Sequence, residues 1–273
     1  METQLADKIR SQYERMLAQS PGLATHFADI AKRLGQNPDI FLEGFIKYDS
    51  NVGAYGNQIY DELVVKAGMY AKFFVQESYQ YERQLILKDM MCSCPGIRSI
   101  VDVGFAVPGF YVKELLEERN EVQLTLLDKF SSSLTFAEAV FASRGWDWRD
   151  RVKLGIFDMD KGFPPGLFDV YVFFDSLEHT QDPTSFLKTL VTSAPERSTF
   201  LFSLPVERQN VSGRGTSNPM HFIEFKTEEE IRRWVKQSGL TIVEERSIAP
   251  GKGDFWLPEE GAFSNLIVKA VKR

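Results

Sequence analysis

Apolar residues recur at helical spacing through the first third of the chain, then give way to short apolar runs separated by helical stretches. Leu5, Ile9, Tyr13, Met16 and Leu17 mark one face of a first helix, and Pro21–Gly22 ends it. Leu23, Phe27, Ile30, Ala31 and Leu34 repeat the pattern until Gly35 and Pro38 break it. A third helix is expected from Asp39 to about Tyr48, followed by the turn-rich stretch DSNVGAYGNQ and one long helical pattern from Ile59 to Met91.

From Gly96 onward the period changes. The apolar runs predict strands at Ser99–Val103, Gln123–Asp128, Val152–Phe157, Val170–Asp175, Thr199–Leu204, Thr241–Ser247 and Asn265–Val271. Helical patterns lie between the earlier ones, at Tyr111–Glu118, Leu134–Ser143, Ser185–Ser193 and Thr227–Gln237, the last opened by a Thr227/Glu230 capping box. Alternating strands and helices predict an α/β fold, a doubly wound and mostly parallel sheet of seven strands covered on both faces. No helix separates the last two strands, so they are expected to pair as an antiparallel hairpin at one edge. Residues 1–94 are expected to form a helical cap and substrate region, and residues 95–273 a cofactor-binding domain.

The segment SIVDVGFAVPGF (Ser99 to Phe110) reads as a buried strand ending near Asp102, a glycine turn at Gly104 and a helix starting near Gly109. Such a unit turns backbone N–H groups and a helix N-terminus toward a crevice. Asp128 closes the second predicted strand, where a carboxylate can bind ribose hydroxyls, so a nucleoside-bearing cofactor is expected.

Composition narrows the partners. In 273 residues, 43% are hydrophobic, 26% are charged and the net charge is −6, which argues against sequence-independent binding to nucleic acid. No apolar run approaches the roughly 20 residues that span a bilayer, and the first residues lack a signal-peptide core. Cys92 and Cys94 are the only cysteines, too few for a four-ligand site, and the histidines are distant in sequence; no metal site is expected. Two reduced thiols point to a cytoplasmic protein. The expected partner is a small-molecule acceptor, with neither nucleic acid nor membrane, and a homodimer is left open.

The strand ending in Asp102, the glycine turn, Asp128, Asp158 and FDVYVFFDSLEH (Phe168 to His179) together resemble class I S-adenosylmethionine-dependent methyltransferases over roughly residues 97–272. DSLEHTQDPTSFL is similar to a D-x-L-E-H-x-x-D-P-x-x-F-L stretch of small-molecule members, and HFIEFKTEEEIRRWVKQSGL to an H-x-x-E-F-T-x-E-E-I…G segment before the sixth strand. The resemblance implies that Asp102, Gly104 and Ala106 hold the methionine part of S-adenosylmethionine. It further implies Asp128, with Lys129 beside it, at the ribose, and Asp158 and Met159, next to Phe157, at the adenine. Asp175 and Ser176 would lie beneath the sulfonium. Asp160 competes with Asp158. The turn departs from the family's D-x-G-x-G-x-G: Ala106 and Pro108 stand at the second and third glycine positions, and Gly109 follows one residue late. Pro108 is compatible with a first helical turn, where its missing N–H has no intrahelical partner.

His179 and His221 are the candidate proton acceptors, because an unperturbed imidazole titrates near pH 6.5. Glu178 is either a site residue or a surface cap, and His26 belongs to a helical face. Acceptor recognition is expected in the loops. Arg208 and Arg214 could clamp an anion or be solvated, while Phe255, Trp256 and Phe263 could wall an acceptor or cover the sheet edge. Tyr70, Tyr79 and Tyr81 are further wall candidates. Two other readings compete: a nicotinamide-dependent oxidoreductase, which lacks G-x-G-x-x-G here, and a non-catalytic methyltransferase-like binding protein.

Overall fold

The computed structural model describes residues 2–51, 60–119, 121–207, 221–250 and 263–273. Five helices precede the sheet: α1 (Glu2–Gln19), α2 (Leu23–Arg33), α3 (Ile40–Asn51), α4 (Leu63–Lys72) and α5 (Tyr79–Cys92). The long pattern from Ile59 to Met91 is therefore two helices, a correction to the single run expected. Val75 is buried, Glu77 takes a φ of +64°, and the Ser78 hydroxyl accepts from the N–H of Tyr81 at 3.2 Å, which starts α5 afresh.

The alternating part follows as β1 (Ser99–Val103), α6 (Phe110–Glu118), β2 (Gln123–Asp128), α7 (Ser131–Ser143), β3 (Val152–Ile156) and β4 (Val170–Phe174). Then come α8 (Pro183–Ser193), β5 (Thr199–Glu207), α9 (Glu228–Gln237), β6 (Leu240–Ile248) and β7 (Phe263–Lys272). α8 starts two residues before the apolar pattern, because the Asp182 side chain caps the N–H of Ser185 and Pro183 supplies a preset φ. The capping box of Thr227 and Glu230 forms as expected.

The strands make one seven-stranded sheet in the order β3-β2-β1-β4-β5-β7-β6. β1, β2, β3, β4 and β5 run parallel, and β7 inserts antiparallel between β5 and β6. The order reverses between β1 and β4, and the carboxyl ends of strands at such a reversal are where open α/β sheets bind ligands. Their sequences, SIVDV and VYVFF, are nearly continuous apolar runs because both faces of the sheet are covered.

One core lies on the face packed by the N-terminal helices, α6 and α7; the other lies under α8 and α9. Residues on both sides of Cys94 share the first core, where Phe27 stacks on Phe41 at 4.2 Å and Tyr70 meets Phe136 edge-on at 5.6 Å. Each fully buried phenylalanine contributes roughly 1.5–3 kcal/mol. Gly44 and Gly68 let α3 and α4 touch backbone to backbone, since a Cβ on Gly68 would lie 2.1 Å from the Gly44 carbonyl oxygen. That contact fixes α4 against α3. No helix among the described residues is long and apolar enough to cross a membrane.

Candidate active site at the carboxyl ends of β1, β2 and β4

The turn after β1 closes without the family's full glycine set. Gly104 has a φ of +76°, and its N–H donates to the carbonyl of Leu127 at 2.7 Å, tying the turn to β2. A Cβ on Gly104 would lie 2.5 Å from Cβ of Ser176, so the glycine serves the contact between the turn and the end of β4. Ala106 adopts the left-handed conformation itself, with a φ of +52°. Its N–H donates to Oδ2 of Asp128 at 3.0 Å, and the N–H of Phe130 donates to Oδ1 at 2.9 Å. Asp128 is thereby buried and held in one orientation at the crevice.

Asp102 is buried beneath the same turn. The Tyr111 hydroxyl donates to its Oδ2, while Oδ1 has no hydrogen-bond partner. Burial pushes its pKa up to about 7; the Tyr111 hydrogen bond opposes the rise and the charge of Asp128 adds to it. Ser176, also buried, donates to the carbonyl of Val103 at 2.7 Å and so clamps the end of β4 to β1. Asp158 and Met159 follow β3, with Asp158 capping a 3-10 turn at Met159–Lys161 and pairing with Lys161 at 3.1 Å. The competing Asp160 accepts from the N–H of Gln181 at 2.8 Å. Lys129 is exposed, its ammonium 5.0 Å from the Phe130 ring centroid.

Asp175 is tied down by side chains from three other elements. It has a φ of +49° just beyond β4. Its Oδ1 accepts from Ser203 at 2.7 Å and from the Asn265 amide at 2.8 Å. Its Oδ2 accepts from the Tyr79 hydroxyl at 3.2 Å and from the Arg83 guanidinium. Arg83 is itself buried, sandwiched 4.5 Å from the rings of Tyr79 and Phe174. The first helical segment thus reaches the end of β4 through Tyr79 and Arg83. Sequence reasoning singled out Tyr79 but missed Arg83, Ser203 and Asn265. Its available signal was Arg83 and Gln84 interrupting the buried stripe of Tyr79, Leu87, Met90 and Met91 on α5.

The segment after β4 and the segment before α9 meet beside this network. Glu178 and His179 belong to a 3-10 turn at Leu177–His179, and the N–H of Phe222 donates to the carbonyl of Glu178 at 2.7 Å. His179 and His221 face each other edge-on, ring centroids 4.9 Å apart, and the Tyr60 ring lies 6.4 Å from His179. Glu178 is 1% exposed, which decides against a surface cap, and its Oε2 has no hydrogen-bond partner. Burial, aided by the charge of Asp175, raises its pKa to about 8 against the opposing charges of His221 and Arg83. Lys66 on α4 was also missed: it is fully buried, its ammonium lacks a hydrogen-bond partner, and it lies 5.5 Å from the Phe130 ring centroid. Burial lowers its pKa to about 8 although Asp128 and Asp61 pull it up.

Other expected residues lie elsewhere. Tyr70 is a core residue whose hydroxyl meets Nε2 of His26 at 3.1 Å, and Tyr81 packs edge-on against Phe110. His26, bridged to Ser143 at 3.3 Å, is structural. Cys92 and Cys94 are free thiols. Arg208, Arg214, Phe255 and Trp256, and the side chain of Phe263, lie outside the described residues.

The donor set suits a cationic nucleoside ligand. Asp102 offers an unpartnered buried carboxylate oxygen, Asp128 is preset by two backbone N–H groups, and Asp175 and Glu178 add negative charge at the end of β4. Sulfonium and ammonium groups fit such surroundings, and the ribose hydroxyls are natural donors to Asp128.

Residues 95–245 match the family described as methyltransferase domain. No curated protein matches the chain. Among solved structures, the N-methyltransferase NodS from Bradyrhizobium japonicum, in complex with S-adenosyl-L-homocysteine, is 15% identical with a TM-score of 0.52 over 72% of this chain and 89% of its own. The [4+2]-cyclase SpnF is 15% identical with a TM-score of 0.55, covering 72% of this chain and 83% of its own. A putative methyltransferase bound to the Haloferax volcanii Trm112 methyltransferase activator is 16% identical with a TM-score of 0.56, covering 77% and 93%. These likenesses show a shared fold, one that carries more than one chemistry. The family match removes the nicotinamide-dependent reading. The chain belongs to the class I methyltransferases, and its cofactor is S-adenosylmethionine.

Proposed function

We propose that the protein methylates an oxygen or nitrogen atom of a small molecule. The observation that carries this reading is the joining of Glu178, His179 and His221 into one polar cluster beside Asp175, at the end of β4 where the crevice opens. The net charge of −6 supports a metabolite over a nucleic acid as acceptor. Free thiols at Cys92 and Cys94 support a cytoplasmic location.

When bound, S-adenosylmethionine supplies an electrophilic methyl group. The chain's work is alignment and water exclusion. Asp128 takes the ribose hydroxyls, Asp102 offers its free oxygen to the cofactor's ammonium, and Asp158 and Met159 border the adenine. The Arg83–Asp175 pair, with Tyr79, sets the floor beneath the reacting atoms. A hydroxyl acceptor loses its proton on the side of His179 and His221, and a placed acceptor for that proton is worth roughly 10²–10⁴-fold. An amine arriving neutral needs no such step. Residues 1–94 act as the cap over this site, with Tyr60, Lys66, Tyr79 and Arg83 as its contributions. Arg208, Arg214 and Trp256, outside the described residues, remain the acceptor-contacting candidates.

A panel of hydroxylated and amine-bearing metabolites, offered with S-adenosylmethionine carrying an isotopic methyl group, tests this. Label in any small acceptor, lost in His179→Gln or His221→Gln, supports the reading. Label only in nucleic acid or protein contradicts it. A second reading, cofactor binding without methyl transfer, draws on Ala106 and Pro108 in the turn; cofactor binding with no label in any acceptor class would favour it.

A further inference from the structure

The cluster at Glu178 has a composition that proton transfer alone does not require. Two imidazoles and one carboxylate place their donor atoms within 4.8 Å of one another. Ligands in adjacent positions on a cation with bonds of about 2.1 Å lie about 3 Å apart, so small side-chain rotations close the set. The carboxylate is the telling member. Glu178 is 1% exposed and its Oε2 lacks any hydrogen-bond partner, a costly state for a buried acid.

The backbone presets the arrangement. Glu178 and His179 sit on the tight turn Leu177–His179, and the hydrogen bond from Phe222 N–H to the Glu178 carbonyl, at 2.7 Å, brings the neighbouring His221 alongside. A bridge between Val206 and Phe225 secures the same segment against β5. Arg83 is already paired with Asp175.

We propose that Glu178, His179 and His221 hold a divalent first-row transition-metal cation on the acceptor side of the site. Two nitrogen ligands and one oxygen favour manganese, iron, cobalt, nickel or zinc over magnesium or calcium. Three protein ligands on one side leave positions open, as in sites that bind substrate directly. The ligand class that fits them is an acceptor with one oxygen, or two adjacent oxygens, able to coordinate. The cation holds that acceptor and raises the acidity of its hydroxyl, whose proton passes to solvent water; in the metal-loaded protein the two imidazoles serve as ligands, and the cation takes over the role that a proton acceptor has without it. The inference deepens the methyltransferase reading, on which it rests only for the identity of the bound acceptor.

The sequence obscured this site because the three residues come from two segments and no Cys-rich or His-rich motif announces it. Cobalt(II) is the probe of choice, because it absorbs in the visible when bound to nitrogen and oxygen ligands. The metal-free full chain is titrated with cobalt(II) chloride, followed by absorption and calorimetry, with magnesium as comparator. Expected is saturation at one equivalent per chain, a rise in Tm on cobalt addition, and affinity lowered by at least about 100-fold in Glu178→Gln and in His221→Gln. Circular dichroism of each variant monitors folding. Absence of saturable cobalt binding and of any Tm rise in the wild-type protein overturns the proposal. So does undiminished one-equivalent binding in both folded variants. S-adenosylhomocysteine binding is measured in parallel on the wild-type protein. Its failure would count against the methyltransferase reading, whereas failure of cobalt alone would count only against the cation site.

Discussion

The N–H of Ala106 donates to Oδ2 of Asp128 at 3.0 Å, so the turn after β1 and the acid that ends β2 are one unit. Two different strands contribute to that unit, and neither half is oriented without the other. Asp128→Ala therefore removes both the proposed ribose acceptor and the anchor of the turn. Affinity for S-adenosylhomocysteine is expected to fall by about 1–3 kcal/mol, roughly 5–150-fold, in calorimetric titration. Unchanged affinity would place the ribose elsewhere.

Ala106 occupies a left-handed conformation, which costs an L-residue roughly 1–2 kcal/mol. Ala106→Gly relieves that cost but adds freedom to the unfolded chain worth about 0.4–1 kcal/mol. The net expectation is a gain of about 1 kcal/mol or less in urea unfolding, with cofactor affinity retained. Gly104→Ala behaves oppositely, because its φ is +76° and its Cβ would meet Ser176 at 2.5 Å. The loss is expected to exceed about 1 kcal/mol, and a silent Gly104→Ala would show that the turn and the end of β4 are not in contact.

Arg83 is 4% exposed at its side chain and Asp175 is 27% exposed, so their ion pair joins the helical segment to the sheet under little solvent screening. Arg83→Leu strands the carboxylate of Asp175 beside Glu178. About 2–4 kcal/mol of stability should be lost, somewhat less than for a wholly buried pair. Arg83→Lys restores only part of it, because an ammonium cannot stack between Tyr79 and Phe174 as the planar guanidinium does. A mild effect of Arg83→Leu would mean that Ser203 and Asn265 satisfy Asp175 by themselves.

His26 is held neutral in the folded chain: burial first, and the charge of Arg144 second, lower its pKa from 6.5 to about 4. The folded state then binds fewer protons than the unfolded state between these values. Stability contributed by His26 is complete above about pH 6.5 and is lost as pH falls toward about 4. Urea midpoints measured across that window should decline, and His26→Gln should flatten the decline. An unaltered slope in the variant would assign it to other groups.

Much of this architecture was legible from residue patterns. The seven strands, the closing hairpin and the Thr227 capping box follow from period, β-branched runs and capping chemistry, which are local properties. The split of Ile59–Met91 was not legible, because Val75 and the Ser78 cap look like continued helix until tertiary burial of Val75 is known. Asp102 and Asp128 stood out because strand ends are local. Arg83 and Lys66 did not, since a buried cation is identified only by the partner that long-range packing brings to it. Likewise the clamp from the Ser176 hydroxyl to the Val103 carbonyl joins two strands that are far apart in sequence.

The central claim is that this turn, with Ala106 and Pro108 in place of two glycines, still builds a site for S-adenosylmethionine. Calorimetric titration of the full chain with S-adenosylmethionine, S-adenosylhomocysteine and NAD tests it most directly. Saturable binding of the first two at one equivalent, with none of NAD, is the predicted result. Binding of NAD alone, or of none of the three, would contradict it.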